Sequence, residues 1–120
     1  MKKVLVVDDQ AEMRRLLSIT LGNDYEMIEA SNGEDAIAMA QLHKPDAILL
    51  DVMMYGEFDG LQVLSRIRKS TLGQQPLIIM VTALGQAAQS NKARELGADA
   101  YFIKPFSPLK IIHWLSQKLG

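Results

Sequence analysis

The chain alternates short apolar runs with longer stretches in which apolar residues recur at helical spacing. The apolar runs cover residues 4–7, 47–50, 77–81 and 101–103, and residues 25–29 form a weaker fifth run. Short runs that are apolar throughout are typical of parallel strands buried on both faces. The pattern therefore predicts five strands that are joined through helices.

The stretches between these runs predict five helices, because their apolar residues recur every three or four positions. They cover residues 11–21, a segment from Ser31 to just before Pro45, a segment after Asp59, residues 86–96, and a last segment from Ser107. The predicted inward positions are Met13, Leu16, Leu17 and Thr20 or Leu21; Ile37, Ala40 and Gln41 or Leu42; Leu61, Leu64 and Ile67; and Ile111, Ile112, Leu115 and Leu119. The helix at 86–96 is weakly amphipathic, since its apolar residues are mostly alanine.

Helix ends are marked by residues that satisfy free backbone groups. The predicted N-caps are Ser31, in a capping box with Glu34, then Asp59, and Ser107 ahead of Pro108 in the first helical position. The predicted stops are Gly22, in a left-handed conformation, Pro45 and Gly97. Strands alternating with helices predict an α/β fold with a parallel sheet, right-handed crossovers and helices on both faces.

Composition narrows the class of protein. The 120 residues predict one domain, 1–120, with 48% apolar residues, a net charge of −1 and no cysteine. The near-neutral charge predicts no nucleic-acid site in this domain. The longest apolar stretch is far below the roughly 18 residues that span a membrane, so no membrane association is expected. Absence of cysteine fits a reducing compartment, and we predict a cytoplasmic protein.

Five polar residues each follow directly on an apolar run. They are Asp8, Asp9, Asp51, Thr82 and Lys104. In open α/β sheets, ligands bind at the edge formed by the carboxyl ends of the strands. We therefore expect these side chains to meet in one crevice, where three carboxylates, a hydroxyl and an ammonium suit a divalent cation and a phosphoryl group.

Taken together, these residues resemble the receiver domain of bacterial two-component response regulators, over nearly the whole chain from Lys2 to about Lys118. The marks are the acidic pair in VLVVDDQ, the aspartate in LLDVMM, the threonine and alanine in MVTA, the Asp59-Gly60 pair and the closing KPF. The resemblance, which extends to chemotaxis members of the family, implies a flavodoxin-like doubly wound five-stranded parallel sheet in the order 2-1-3-4-5 with five helices.

The resemblance also implies roles for the acidic residues. Asp51 corresponds to the phosphoacceptor, a carboxylate nucleophile that forms an aspartyl phosphate. Asp9 corresponds to a direct Mg²⁺ ligand and Asp8 to one that acts largely through water, with the backbone carbonyl of Met53 completing the protein's share. Mg²⁺ is a hard cation that takes oxygen ligands and keeps several waters, which agrees with this set.

The remaining matches concern the phosphoryl group and the switch. Lys104 is placed to pair with phosphoryl oxygens and Thr82 to hydrogen-bond one of them. Ala83 should stay small for phosphoryl entry, and Pro105 should follow a cis peptide bond. Tyr101 matches the aromatic residue that changes rotamer when the threonine moves. The output surface would comprise the fourth helix, the fifth strand and the fifth helix.

The implied partners are a sensor histidine kinase or a histidine phosphotransfer protein, and a homodimer partner or effector on the output surface. The chain would be a signalling domain rather than an enzyme, since it would catalyse only its own phosphoryl transfer and dephosphorylation.

Two features depart from the family pattern. Tyr55 occupies the usual proline position, and YGEF contains one extra residue, so a longer loop with the charge of Glu57 near the pocket is expected. The last helix lacks the acidic-then-arginine pattern of receivers attached to winged-helix DNA-binding domains, with Trp114 in the place of the arginine.

Met53 and Leu84 match positions that flank the path of the hydrolytic water, and their apolar side chains predict slow loss of the phosphoryl group.

Two other classes of function compete with this one. The first is a degenerate receiver that binds proteins without carrying phosphate, which the altered Tyr55–Phe58 loop favours and the intact acidic set opposes. The second is a small hydrolase of the haloacid-dehalogenase-like type. That mechanism needs an acid two residues after a first-strand nucleophile, and the residue two positions after Asp8 is Gln10.

Overall fold

A single parallel sheet organises the part of the chain that the computed structural model describes, namely residues 1–54, 56, 58–70, 75–83, 85 and 87–120. Its five strands in these residues are β1 (Lys3–Val7), β2 (Glu26–Ala30), β3 (Ala47–Leu50), β4 (Leu77–Thr82) and β5 (Ala100–Ile103). They are ordered β2-β1-β3-β4-β5 and every neighbouring pair is parallel. The predicted flavodoxin-like fold is thereby confirmed.

The helices alternate with the strands along the chain. They are α1 (Ala11–Leu21), α2 (Gly33–His43), α3 (Gly60–Lys69), α4 (Ala87–Glu95) and α5 (Pro108–Leu119). Among these described helices, the longest has 12 residues and none could cross a lipid bilayer.

Two apolar cores lie on opposite faces of the sheet. One joins the sheet to α2, α3 and α4 through buried residues that include Ala36, Leu64 and Ala93. The other joins it to α1 and α5 and includes Leu17 and Ile111. The alternation of side chains along each central strand sends successive residues into the two cores, which explains why β3 and nearly all of β1 are apolar.

Some predicted inward positions prove wrong. Leu16 of α1 is 44% exposed and Leu42 of α2 is 72% exposed, whereas Leu17, Leu21 and Ala36 are buried. The apolar stripe of each helix is wider than the helix face that contacts the sheet, so the residues at the edge of the stripe remain exposed to solvent. On α3 and α5 the stripes are correct, with Leu64, Ile67, Ile111 and Leu115 buried and Leu61, Ile112 and Leu119 partly buried.

Two predicted helix ends are also wrong. Gly22 follows α1 with φ −66°, a right-handed helical conformation rather than a left-handed stop. Asn32, not Ser31, caps α2, because its side chain accepts a hydrogen bond from the backbone N–H of Asp35. The chain leaves α2 through a left-handed Lys44, with φ 48°, just before Pro45.

The other helix ends follow the prediction closely. Asp59 caps α3 in a complete capping box with Gln62. Gly97 follows α4 with φ +109°, the left-handed region that glycine adopts without steric cost. Ser107 is the N-cap of α5, without a side-chain cap bond, and Pro108 is the first helical residue. The predicted bounds of β2 shift by one residue, to Glu26–Ala30, and α4 ends one residue earlier than predicted, at Glu95.

Candidate functional site

The acidic pair lies where β1 ends. The backbone N–H of Asp8 donates to the carbonyl oxygen of Ala30 at 3.2 Å, which extends the pairing with β2 by one residue. One carboxylate oxygen of Asp8, Oδ1, accepts from the backbone N–H of Gln10 at 2.9 Å. Asp8 is only 3% exposed, while Asp9 is partly exposed. The pair therefore presents one inward carboxylate and one that solvent reaches.

Asp51 is held at the end of β3 with 6% of its surface exposed. Its backbone N–H donates to the carbonyl oxygen of Val7 at 3.1 Å, and its Oδ1 accepts from the backbone N–H of Met53 at 3.1 Å. The loop then folds back, because the N–H of Gly60 donates to the carbonyl oxygen of Val52 at 2.9 Å. A Cβ on Gly60 would lie 2.0 Å from the carbonyl oxygen of Asp51, so only glycine fits there.

The three carboxylates converge as predicted. Asp8, Asp9 and Asp51 each offer an oxygen, and these oxygens lie within 4.8 Å of one another. Carboxylate oxygens in this number suit a hard divalent cation such as Mg²⁺, which uses one or two carboxylates directly and completes its shell with water. The residues present therefore fit the cation that the resemblance implies.

Charge repulsion within the cluster favours a cation. Burial, together with the neighbouring carboxylates of Asp8 and Asp51, raises the pKa of Asp9 above its ordinary value. A carboxyl whose pKa is raised on folding destabilises the folded protein when it is ionised, that is, above its folded-state pKa. A bound divalent cation would remove this repulsion.

Lys104 closes the other side of the cluster. Its Nζ lies 2.7 Å from Asp8 Oδ2 and 3.0 Å from Asp51 Oδ2, and its side chain is 14% exposed. Burial lowers the pKa of Lys104, but the hydrogen bonds and charges of Asp8 and Asp51 outweigh this effect, so its pKa is raised and it remains an ammonium at neutral pH. The peptide bond between Lys104 and Pro105 is cis, as predicted.

Thr82 ends β4 next to this cluster and is fully buried. Its carbonyl oxygen accepts from the backbone N–H of Lys104 at 2.8 Å, so the two residues lie side by side at the sheet edge. Tyr101 is partly buried and packs against the core formed with α2, α3 and α4. Burial, and secondarily the charge of Asp51, raises the pKa of Tyr101.

The exposure of the other candidates varies. Met53 is 56% exposed and Ala83 is exposed as well. Trp114 is partly buried against the core formed with α1 and α5, and the Lys118 ammonium lies 5.8 Å from its ring centroid. Predictions that involve Tyr55, Glu57, Leu84 and Gln86 fall outside the described residues.

The sequence reasoning missed Arg14. Its Nη1 donates to the carbonyl oxygen of Asp8 at 2.8 Å, and its Nε donates to Glu29 Oε1 at 3.2 Å. In the sequence Arg14 is one of two adjacent arginines on an amphipathic helix, a pattern that ordinarily indicates a solvated face. Nothing in the spacing distinguishes it from Arg15.

Comparison with known proteins identifies the family of the chain and agrees with its fold. The sequence matches the family described as the response regulator receiver domain over residues 4–116. It is 44% identical over 111 residues to a probable transcriptional regulator, ycf27, of Cyanophora paradoxa, a match that covers 92% of this chain and 45% of the relative. It is also 44% identical over 111 residues to the transcriptional regulatory protein ResD of Bacillus subtilis, with the same coverage.

A solved structure agrees with these sequence matches. The chemotaxis response regulator CheY4 of Vibrio cholerae superposes with a TM-score of 0.88 at 30% identity, covering 98% of each chain. The chain therefore belongs to the response regulator receiver domain family, the signalling domains of two-component systems. It spans less than half the length of these curated relatives.

Proposed function

We propose that this chain is a phosphoacceptor receiver in which Asp51 accepts a phosphoryl group from a phosphohistidine of a sensor kinase or a phosphotransfer protein. The observation that carries the proposal is the pair of ion contacts from one ammonium, Lys104, to Asp8 at 2.7 Å and Asp51 at 3.0 Å within a cluster of three carboxylates. An ammonium and a cation site on either side of a nucleophilic carboxylate suit a group that carries several negative oxygens.

In this proposal, Mg²⁺ binds at the acidic cluster. Asp9 and Asp51 would contribute oxygens directly, Asp8 largely through water, and Met53 its backbone carbonyl. Bound Mg²⁺ supplies positive charge that lets an anionic phosphoryl group approach three carboxylates. Asp9 is suited to be the most direct ligand because it is the more exposed member of the acidic pair.

The transfer itself requires little of the protein beyond position and charge. A carboxylate oxygen of Asp51 attacks the phosphorus, the phosphorus–nitrogen bond of the donor breaks, and its electron pair remains on the imidazole nitrogen. Lys104 then pairs with phosphoryl oxygens instead of Asp51 Oδ2. Thr82, adjacent to Lys104, would offer its hydroxyl to a further phosphoryl oxygen.

The surface that would change on phosphorylation comprises α4, β5 and α5. Tyr101 is partly buried on β5, the strand that pairs with β4 as far as Thr82, which supports its role as the residue that responds. The surface would bind a second copy of the chain or an effector. The similarity to transcriptional regulators supports gene regulation as the output of the longer protein type.

The test is phosphorylation with a small-molecule phosphodonor, followed by intact mass measurement. We expect one phosphoryl group, labile to hydroxylamine, in the presence of Mg²⁺ and none after chelation. Asp51→Asn should abolish labelling, because the amide is not a nucleophile at neutral pH. Asp24→Asn is the matched control, since Asp24 is an exposed turn carboxylate and should label like the wild type.

Stoichiometric labelling of Asp51→Asn would assign the phosphate to another residue and contradict the proposal. A wild type that binds Mg²⁺ but never labels would instead indicate the degenerate receiver, a protein-binding module that carries no phosphate.

A further inference from the structure

Arg14 reaches from α1 to the backbone of the acidic pair. Its guanidinium lies 2.8 Å from the carbonyl oxygen of Asp8 through Nη1 and 3.2 Å from Glu29 through Nε. The Arg14 side chain is 19% exposed, compared with 47% for Glu29. A charged group that is mostly buried and makes two directed contacts is held in one orientation.

The carbonyl that Arg14 binds belongs to the peptide unit between Asp8 and Asp9. The other polar groups of Asp8 are also occupied: its N–H donates to Ala30, and its carboxylate accepts from the N–H of Gln10 and from Lys104. Because the peptide unit is planar, fixing its carbonyl oxygen also fixes its nitrogen, which carries the Cα of Asp9. The contact with Arg14 thus fixes the position of the Asp9 Cα, the atom from which the Asp9 side chain leaves the backbone.

Two opposite effects on cation affinity follow from this geometry. A fixed Asp9 enters the site with its position already set, which favours binding. The positive charge of Arg14 near the cluster disfavours a cation, but the ion pair with Glu29 offsets much of that charge. Residues that orient metal ligands typically change metal affinity by about 10–100-fold when they are replaced. The orienting effect should therefore exceed the residual repulsion.

We propose that Arg14 is a positioning residue for the cation site, acting through the Asp8–Asp9 peptide to hold Asp9 in its ligating direction. The inference rests on the proposed function, since it assumes that a divalent cation binds at Asp8, Asp9 and Asp51.

The experiment measures cation affinity directly, with Mn²⁺ followed by electron paramagnetic resonance and Mg²⁺ by competition against it. Arg14→Met should weaken binding about 10-fold, the lower end of the range for orienting residues. Arg15→Met is the matched control, because it removes the same charge from the adjacent exposed position and should bind like the wild type. Arg14→Lys, which keeps the charge and one donor, should fall between the two.

A second readout separates positioning from ordinary structural support. Thermal unfolding without metal should show a lower midpoint for Arg14→Met, while affinity is measured well below that midpoint, where every variant is folded. A contribution to stability alone would lower the midpoint and leave affinity unchanged. If Arg14→Met does not fold, the Arg14→Lys affinity relative to Arg15→Met decides the question.

The outcomes are distinct. Wild-type affinity, or tighter binding, in both Arg14 variants would overturn the inference about Arg14 and leave the cation site in place. Equal weakening by Arg15→Met would show a long-range charge effect and overturn it as well. If the wild type itself binds no Mn²⁺ or Mg²⁺, the cation site and the role of Arg14 both fail.

Discussion

Helices α3 and α4 follow neighbouring strands, yet they are attached to the sheet very differently. α3 begins with Gly60 against the backbone of Asp51 and buries Val63, Leu64 and Ile67. Of the residues in Ala87–Glu95, α4 fully buries only Ala93. The helix after the candidate phosphoacceptor thus buries several large apolar side chains, whereas residues 87–95 of the helix after Thr82 fully bury one methyl group.

The difference indicates that one side of the sheet edge is rigid and the other is easier to move. Elements with little buried apolar surface open or shift at lower free-energy cost than elements that are tightly packed. Asp51 lies beside the tightly packed helix α3, which holds the acidic cluster in place. Under the proposed function, α4 is the element whose position a phosphoryl group can change.

The largest expected difference between the two helices comes from the same substitution near the start of each one. In Gly60→Ala the new Cβ would lie 2.0 Å from the carbonyl oxygen of Asp51, so the loop must move. Overpacking against backbone of this kind should reduce the free energy of unfolding by at least about 3 kcal/mol, at the upper end of the usual range. In Gly85→Ala the nearest atom is 3.4 Å away, at the end of the Ile103 side chain. Urea unfolding should show a change within about 0.5 kcal/mol for that variant.

Equal destabilisation by the two alanines would show that both helices start against equally crowded backbone, contrary to the structure. The prediction for Gly60→Ala also includes loss of cation binding, since Asp51 would be displaced.

The second prediction compares the buried side chains. Leu64 of α3 is fully buried, and Leu64→Ala should cost about 3 kcal/mol through lost burial and the cavity left behind. Ala93→Gly in α4 removes one buried methyl group and lowers helix propensity, for a combined cost of about 2 kcal/mol. Chemical denaturation measures both, and a cost for Ala93→Gly as large as that for Leu64→Ala would contradict the view that α4 is loosely held.

The third prediction concerns the contact through which α3 holds the far end of α4. Arg68 donates to the carbonyl oxygens of Pro76 and Gly97 at 2.7 and 3.0 Å and pairs with Asp99 at 2.8 Å. Arg68→Met should cost about 2 kcal/mol, a magnitude typical of hydrogen bonds that involve a charged group. Hydrogen exchange should increase around Gly97.

The matched control for this contact is Arg94→Met. Arg94 is an exposed arginine in the last turn of α4, and its replacement should change stability by less than about 0.5 kcal/mol. If the two variants are indistinguishable, the contacts of Arg68 do not anchor the turn after α4.

Much of the fold could be predicted from the chain itself, because strands buried on both faces must be apolar at every position. The runs at 4–7, 47–50 and 77–81 leave few alternatives to central parallel strands. The same logic placed Asp8, Asp9, Asp51, Thr82 and Lys104 at one edge, since each follows such a run. Asp59 was recognisable as a cap because capping depends on residues close in the sequence.

Tertiary structure decided what depends on residues distant in the sequence. The exposure of Leu16 and Leu42 reflects how far each helix face reaches the sheet, which local periodicity does not encode. Lys104 bonds carboxylates 96 and 53 residues away, and only the packed sheet sets which oxygens it meets. Arg14 and Arg15 are chemically identical neighbours in the sequence. The rotation of α1 on the sheet turns one toward the Asp8 carbonyl and leaves the other in solvent, because a helix advances its side chains by a fixed angle and packing chooses the face.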